Sequence, residues 1–121
     1  MITEDYCSFE IAELLKEKGF DGECDYWYDE YGGRCCSPSV ISVECWCPSQ
    51  SLALKWLREV HNIHIEIYRT ACGYLYIISN IPYGTDLYNP KYGGDDENSG
   101  QWTTYEKAVE AAILYVLKNL I

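Results

Sequence analysis

Apolar residues recur at the three- and four-residue spacing of amphipathic helices in three segments of the chain. The segments cover residues 9–18, 50–61 and about 104–120. Each is expected to turn one apolar face toward a core. In the second segment, this face is predicted to comprise Leu52, Ala53, Trp56, Leu57 and Val60.

Residues that start and stop helices stand at the ends of these segments. The hydroxyls of Ser8 and Ser49 can each accept a hydrogen bond from a first-turn N–H, so both are predicted N-caps. Gly19 and Asn62 suit the left-handed conformation that ends a helix. Thr103, with a glutamate three residues later, predicts a capping box at the start of the third helix.

A period of two replaces the helical spacing between the second and third helices. Ile63, Ile65 and Ile67 alternate with polar residues, which predicts a strand with one buried face. Residues 74–79 predict a second strand with Leu75 and Ile77 on one face. The turn at residues 70–73 joins the two strands as an antiparallel hairpin.

Two more strands are expected at residues 24–29 and 40–46, on either side of a turn at Gly32-Gly33. The whole pattern predicts an α+β fold. It is a two-layer sandwich in which three helices cover an antiparallel sheet of about four strands, in the order α-β-β-α-β-β-α. A length of 121 residues fits one domain, residues 1–121. Residues 82–101 are expected to form a long loop, and such loops often carry function.

The charge balance narrows the classes of partner. The chain has 19 Asp plus Glu against 9 Lys plus Arg, for a net charge of -10. Such a chain would repel phosphates, which argues against direct binding of nucleic acid or an anionic membrane. The acidic start of the chain lacks the basic and apolar regions of a signal peptide, so a cytoplasmic location is expected.

Seven cysteines raise the question of a disulfide framework or a metal site. The odd number argues against a complete set of disulfides. Cys35, Cys36, Cys45 and Cys47 are the candidate ligands of a four-thiolate zinc site. Their spacing is poor for it, because adjacent cysteines in an extended chain point to opposite faces. The favoured interpretation is that the cysteines are free and packed in the core, with no cofactor.

Tyrosine is the most informative residue type. Two segments, residues 21–30 and 82–101, combine tyrosines with acidic residues and glycines. Tyrosine favours interfaces because it buries a large area and keeps a polar tip. The alternative is that these rings fill the core. The candidate interaction surface comprises Tyr26, Tyr28, Asp29, Tyr31, Tyr83, Tyr88 and Tyr92.

Three stretches of the chain carry a resemblance to other proteins. The first comprises residues 4–6, 8–10 and 14–20, the second residues 51–63 and the third residues 104–113. Together they resemble a group of small uncharacterised proteins from gut Bacteroidetes genomes and their phages or mobile elements. The group has no assigned activity, so the resemblance implies no catalytic residue. It implies a cytoplasmic accessory protein, with phage origin as one possibility.

Three functions compete at this stage. The first is a non-enzymatic module that binds a basic protein partner through its acidic, tyrosine-rich surface. One variant is a DNA mimic whose carboxylates stand in for phosphates, and self-association into a homo-oligomer is also open. The second function is a small zinc-binding protein. The third is an enzyme, which ranks last because no nucleophile, base or phosphate-loop motif supports it.

Overall fold

The computed structural model describes residues 2–22, 24–35, 43–90 and 101–121. These residues form three α-helices and two three-stranded antiparallel sheets. The α+β class is therefore confirmed. The strands differ from the predicted single four-stranded sheet, because they are divided over two small sheets. Part of the strand predicted at residues 40–46 and part of the loop predicted at residues 82–101 lie outside the described residues.

The helices are α1 (Phe9–Glu17), α2 (Gln50–His61) and α3 (Tyr105–Asn119). The two predicted serine caps are confirmed: the hydroxyl of Ser8 accepts from the N–H of Ile11, and Ser49 accepts from Leu52. Gly19 and Asn62 end the first two helices with φ values of 101° and 56°. Both predicted left-handed ends are thus confirmed.

The start of α3 differs by one residue from the prediction. Thr104, not Thr103, is the N-cap, and its hydroxyl accepts from the N–H of Lys107 at 3.1 Å. The predicted box with Glu106 is therefore wrong, because the position three residues after this cap is a lysine. Two successive threonines offer the same capping chemistry, so the local pattern could not separate them.

The first sheet consists of β1 (Trp27–Tyr28), β2 (Arg34–Cys35) and β3 (Cys45–Trp46). Strand β1 lies in the middle and pairs with both neighbours, so the order is β2-β1-β3. The predicted turn at Gly32-Gly33 is confirmed, since the N–H of Asp29 donates to the carbonyl of Gly33 at 3.0 Å.

The second sheet consists of β4 (Ile63–Arg69), β5 (Tyr74–Asn80) and β6 (Asp86–Tyr88), in that order. The predicted hairpin of β4 and β5 is confirmed by continuous antiparallel pairing. Strand β6 falls inside the stretch that was predicted to be a loop. Its three residues are too few to show an alternating pattern in the sequence.

One face of β5 joins the main core, and it is the face opposite Leu75 and Ile77. Ile65 pairs with Ile78 and Ile67 with Tyr76, and opposite residues of a ladder share a face. Tyr76 and Ile78 therefore join the isoleucines of β4 in the core, where they are 3% and 0% exposed. Leu75 and Ile77 share the opposite face, as predicted, and Leu75 is itself only 8% exposed.

The main core lies between the second sheet and the three helices. Helix α3 is central: it contacts β4, β5, α1 and α2. It contributes six buried residues, namely Ala108, Val109, Ala112, Ile113, Val116 and Leu117. A second, smaller cluster joins Ala12 of α1 to Tyr28, Cys45 and Cys47 of the first-sheet region. Helix α1 thus connects the two cores.

The predicted apolar face of α2 is only partly buried. Ala53 and Leu57 are fully buried, as predicted. Leu52 and Val60 are 38% and 57% exposed, and the buried set includes the polar Gln50 instead. The helical repeat identified the side of α2 that faces the protein, but it could not tell how far the neighbouring elements cover that side.

Candidate functional site

The segment before α1 runs antiparallel to the segment before α2. Tyr6 pairs with Ser49, and the N–H of Cys7 donates to the carbonyl of Pro48 at 3.0 Å. Because the Ser8 cap starts α1 two residues after Tyr6, the position of the Tyr6 backbone is set by both helix starts. This pairing places the Tyr6 side chain, which is half-buried, beside the first sheet.

Tyr6, Tyr26 and Arg34 form a stacked cluster. The rings of the two tyrosines meet nearly edge to face, with centroids 4.8 Å apart and an interplanar angle of 69°. The guanidinium carbon of Arg34 lies 5.1 Å from the centroid of Tyr6 and 4.8 Å from that of Tyr26. Both distances are within the range of cation–π attraction.

Three cavities meet at Tyr6. The first, of about 470 Å³, lies between the segment before α1 and helix α3, and Gln50 and Trp102 are part of its wall. The second, of about 490 Å³, lies beside Arg34 and Tyr26. The third, of about 170 Å³, reaches Cys24 and Cys47. We call the surface that these cavities share the Tyr6 face.

Carboxylates surround the Tyr6 face. Among the residues that the structure describes, five acidic residues line its cavities, against the two cationic residues Arg34 and Lys107. The acidic residues are Glu4, Asp5, Asp25, Glu106 and Glu110. The pKa of the Tyr6 phenol is raised, first by desolvation and then by Tyr26 and nearby carboxylates, while Arg34 opposes the shift. Tyr6 is therefore a neutral phenol at neutral pH.

Glu110 is the most deeply placed of these carboxylates. One of its oxygens accepts from the N–H of Ser8 at 3.2 Å, at the start of α1. Burial raises the pKa of Glu110, and the negative charge of Asp5 acts in the same direction. Hydrogen bonds from Ser8 and Gln50 lower it in part. The wall of the first cavity thus holds a carboxyl that is more easily protonated than usual.

The thiols near the third cavity are kept protonated by burial. Desolvation raises the pKa of Cys24 to about 11 and also raises the pKa of Cys47 and Cys7. The Cys47 thiol donates to the carbonyl of Cys7 at 3.5 Å, and the Tyr28 hydroxyl donates to the same carbonyl at 2.6 Å. These thiols belong to a packed core and are poor nucleophiles at neutral pH.

The predicted surface residues occupy different environments. Tyr26 belongs to the Tyr6 face. Tyr31, at the tip of the β1–β2 hairpin, and Tyr83, in the turn after β5, are 88% and 84% exposed. Asp29 holds the hairpin, since one carboxylate oxygen accepts from the N–H of Tyr31 and of Gly33 at 2.9 Å.

The other predicted surface residues pack inward or fall outside the structure. Tyr28 is 8% exposed and packs on Phe9, with ring centroids 5.2 Å apart. Tyr88 stacks on Tyr115 at a centroid distance of 3.7 Å. Tyr92 lies outside the described residues. Tyr26 is therefore the one member of the predicted set that the described structure places at the Tyr6 face.

The cysteines of the zinc alternative are only partly described. Cys45 and Cys47 are buried and Cys35 is half-buried, whereas Cys36 lies outside the described residues. Within the ranges that the structure covers, no group of three or more His, Cys, Asp or Glu could hold a metal ion. A four-thiolate site that includes Cys36 stays a prediction.

The two histidines do not form a site together. His61 is the last residue of α2, and His64 lies in β4, so they do not share a helix face, as predicted. The Nε2 atom of His61 is buried without a hydrogen-bond partner, and its ring packs edge-on against Trp56 at 4.7 Å. Neither histidine lines the cavities at Tyr6.

Sequence reasoning missed the central residues of the site. Tyr6 stands between an acidic pair and the Ser8 cap, where nothing marks it as different from other tyrosines. Arg34 carried a stronger signal: it is the one cationic residue of residues 19–54, a stretch that contains six acidic residues. A lone cation among acids is expected to have a specific contact, and this clue could have found the cluster.

No family model matches the chain, and neither a curated protein nor a solved structure matches it. In the described part of the chain, no helix combines the length and apolar character needed to cross a membrane.

Proposed function

We propose that the chain is a non-enzymatic interaction module, and that its Tyr6 face binds an arginine-containing basic segment of a partner protein. The observation that carries the proposal is the guanidinium of Arg34 stacked on the rings of Tyr6 and Tyr26. This contact within the chain supports the proposal, because a guanidinium group of a partner could make the same cation–π contacts with the two rings.

Electrostatics supports the same class of partner. The five carboxylates around Tyr6 would attract a basic segment and raise its rate of association. The Gln50 amide and Trp102 add polar and aromatic surface at the first cavity. Wet, tyrosine-rich surfaces with a few charged contacts are typical of protein interfaces.

The chemistry of the lining residues favours binding over catalysis. Cys47 is the buried thiol of the third cavity, and its raised pKa keeps it protonated. Burial raises the pKa of Glu110, but one oxygen of this carboxyl accepts from the N–H of Ser8. A carboxyl in this position acts more simply as a buried acceptor than as a general base with a nucleophile beside it.

A DNA mimic remains one form of this proposal. In that form the partner would be a DNA-binding protein, and the carboxylates of the Tyr6 face would occupy the positions of phosphates. Duplex DNA would then compete with the chain for the same basic partner. The origin of the chain in a phage or mobile element, which the resemblance implies, would fit this form.

The test measures the affinity of a fluorescein-labelled heptapeptide of alternating arginine and serine by fluorescence anisotropy. The site variant combines Glu4→Gln with Glu106→Gln. The matched control combines Glu13→Gln with Glu59→Gln, which removes the same charge from exposed positions on α1 and α2. At an ionic strength of about 0.15 M, the site variant should bind about three- to tenfold more weakly. The control should change affinity by less than about twofold.

Two results would contradict the proposal. Equal weakening in the site variant and the control would show that the peptide responds to net charge and not to the Tyr6 face. Absence of binding at low salt, about 0.02 M, would exclude an electrostatic interaction with basic segments altogether, because screening is weakest there.

A further inference from the structure

We infer that Arg34 is an internal competitor: its guanidinium occupies the position on Tyr6 and Tyr26 that an arginine of the partner would take. This inference rests on the proposed function and adds a mode of regulation to the same face. The basic segment of the partner must displace Arg34, or rearrange it, before its own guanidinium can stack on the two rings.

The contacts of Arg34 indicate that it can be displaced. Its side chain is exposed at the end of the β1–β2 hairpin, and the two rings are the contacts that hold its guanidinium. No carboxylate of the described residues lies within ion-pair distance of it. Cation–π contacts at exposed sites are weak, so a competing guanidinium in a multivalent segment can replace this one.

The surroundings of Arg34 provide room for a cation that replaces it on the rings. The cavity of about 490 Å³ that Arg34 lines also includes Thr3, Glu4 and the two tyrosine rings. Asp25 and Glu4 are close enough to Tyr6 to affect the pKa of its phenol, so their negative charge reaches the same place. An arginine that enters this cavity therefore meets aromatic rings and carboxylates together.

Arg69 provides a matched comparison elsewhere on the surface. Its guanidinium lies 5.1 Å from the centroid of the Tyr74 ring, and it also donates to the carbonyl of Gly73 at 3.1 Å. Replacement of either arginine by glutamine makes the chain more acidic by one charge. If R34Q increases the affinity for the peptide more than R69Q does, the difference comes from the removal of Arg34 from the Tyr6 face. The change in net charge cannot explain it, because it is the same in both variants.

The experiment compares the wild-type chain with R34Q, R34K and R69Q in binding the labelled arginine–serine heptapeptide. The urea midpoint of each variant is measured in parallel to verify that it folds. R34Q should bind about three- to tenfold more tightly than R69Q, because the rings are free for the peptide. R34K keeps a cation over the rings and should remain within about twofold of the wild type.

The failures of the two proposals give different patterns. If the wild type binds and R34Q binds no more tightly than R69Q, the competition by Arg34 is refuted and the binding function stands. If R34Q binds more weakly than R69Q while keeping the wild-type urea midpoint, Arg34 instead assists the partner, which also refutes the inference. If none of the four chains binds, the proposed function fails, and the inference fails with it.

Discussion

Replacement of Tyr28 by phenylalanine tests whether this tyrosine stabilises the fold from within the core. Tyr28 is 8% exposed, and its hydroxyl donates a 2.6 Å hydrogen bond to the carbonyl of Cys7. The substitution removes this bond and leaves the ring contact with Phe9 in place. We expect the free energy of unfolding to fall, because a buried carbonyl loses its strongest donor.

The size of the loss follows from what remains at the Cys7 carbonyl. A typical buried hydrogen bond contributes about 1 kcal/mol, and an acceptor left wholly unsatisfied costs up to about 3 kcal/mol. Here the Cys47 thiol still donates at 3.5 Å, but a thiol is a weak donor. The expected loss is therefore about 1–2 kcal/mol, or a fall in Tm of roughly 3–10 °C for a chain of this size.

The assay is urea unfolding followed by tryptophan fluorescence, with Tyr31→Phe as the matched control. Tyr31 is 88% exposed, so loss of its hydroxyl should change stability by less than about 0.5 kcal/mol. Neither substitution should weaken binding of the arginine–serine peptide more than about twofold. Equal stabilities of the two variants would refute the argument that Tyr28 is a core residue whose hydroxyl is engaged.

Three further changes test other parts of the structure. Ile113→Ala removes a fully buried side chain of α3 and should cost about 2–5 kcal/mol in urea unfolding, because a cavity replaces core contacts. Gly73→Ala would place a Cβ atom 2.6 Å from the carbonyl oxygen of Trp102, so we expect a loss of about 1–3 kcal/mol in the same assay. Glu110→Gln concerns the pH dependence of stability, measured as the urea midpoint between pH 4 and pH 8. Since burial raises the pKa of Glu110 above 4.5, its contribution to stability is full below that value and is lost as pH rises through the folded-state pKa. Glutamine keeps an oxygen for the N–H of Ser8 and removes the charge, so the variant should be more stable than the wild type at pH 7 and similar to it at pH 4.

For each of these three substitutions, one result would contradict the prediction. Val60 is 57% exposed, so Val60→Ala is the control for Ile113→Ala. An equal loss in the free energy of unfolding for both variants would show that α3 is not the centre of the fold. A wild-type midpoint for Gly73→Ala would mean that the segment at Trp102 does not approach the hairpin. A less stable Glu110→Gln at pH 7 would show that the charged carboxylate is favoured in the folded state.

The ends of α1 and α2 were predictable from sequence because their interactions are local. Ser8, Ser49 and Asn62 each act on backbone groups within a few residues, so the same chemistry holds wherever the helix packs. The buried face of β5 was not predictable in the same way. Whether Leu75 or Tyr76 faces the core depends on the register with β4 and on α3, which lies far away in the chain.

The site shows the same division between local and distant interactions. The sequence pointed to acidic, aromatic segments, and Tyr26 belongs to one of them. Tyr6 and Arg34 were missed because their contact joins the segment before α1 to strand β2, across 28 residues of chain. Tyr28 was predicted to lie on the surface because tyrosines interleaved with acidic residues are typical of an exposed segment. Its burial depends on α1, where Phe9 and Ala12 cover it.

The most direct test of the proposed binding face is a titration of ¹⁵N-labelled protein with the arginine–serine heptapeptide, followed by amide chemical shifts. We expect the largest shifts at residues 3–6, 25–26 and 106–110, which surround Tyr6. The amides of His64 and Glu66, two exposed residues of β4 that line none of the cavities at Tyr6, should not change. Shifts confined to β4, or no shifts at saturating peptide, would contradict the claim that the Tyr6 face binds basic segments.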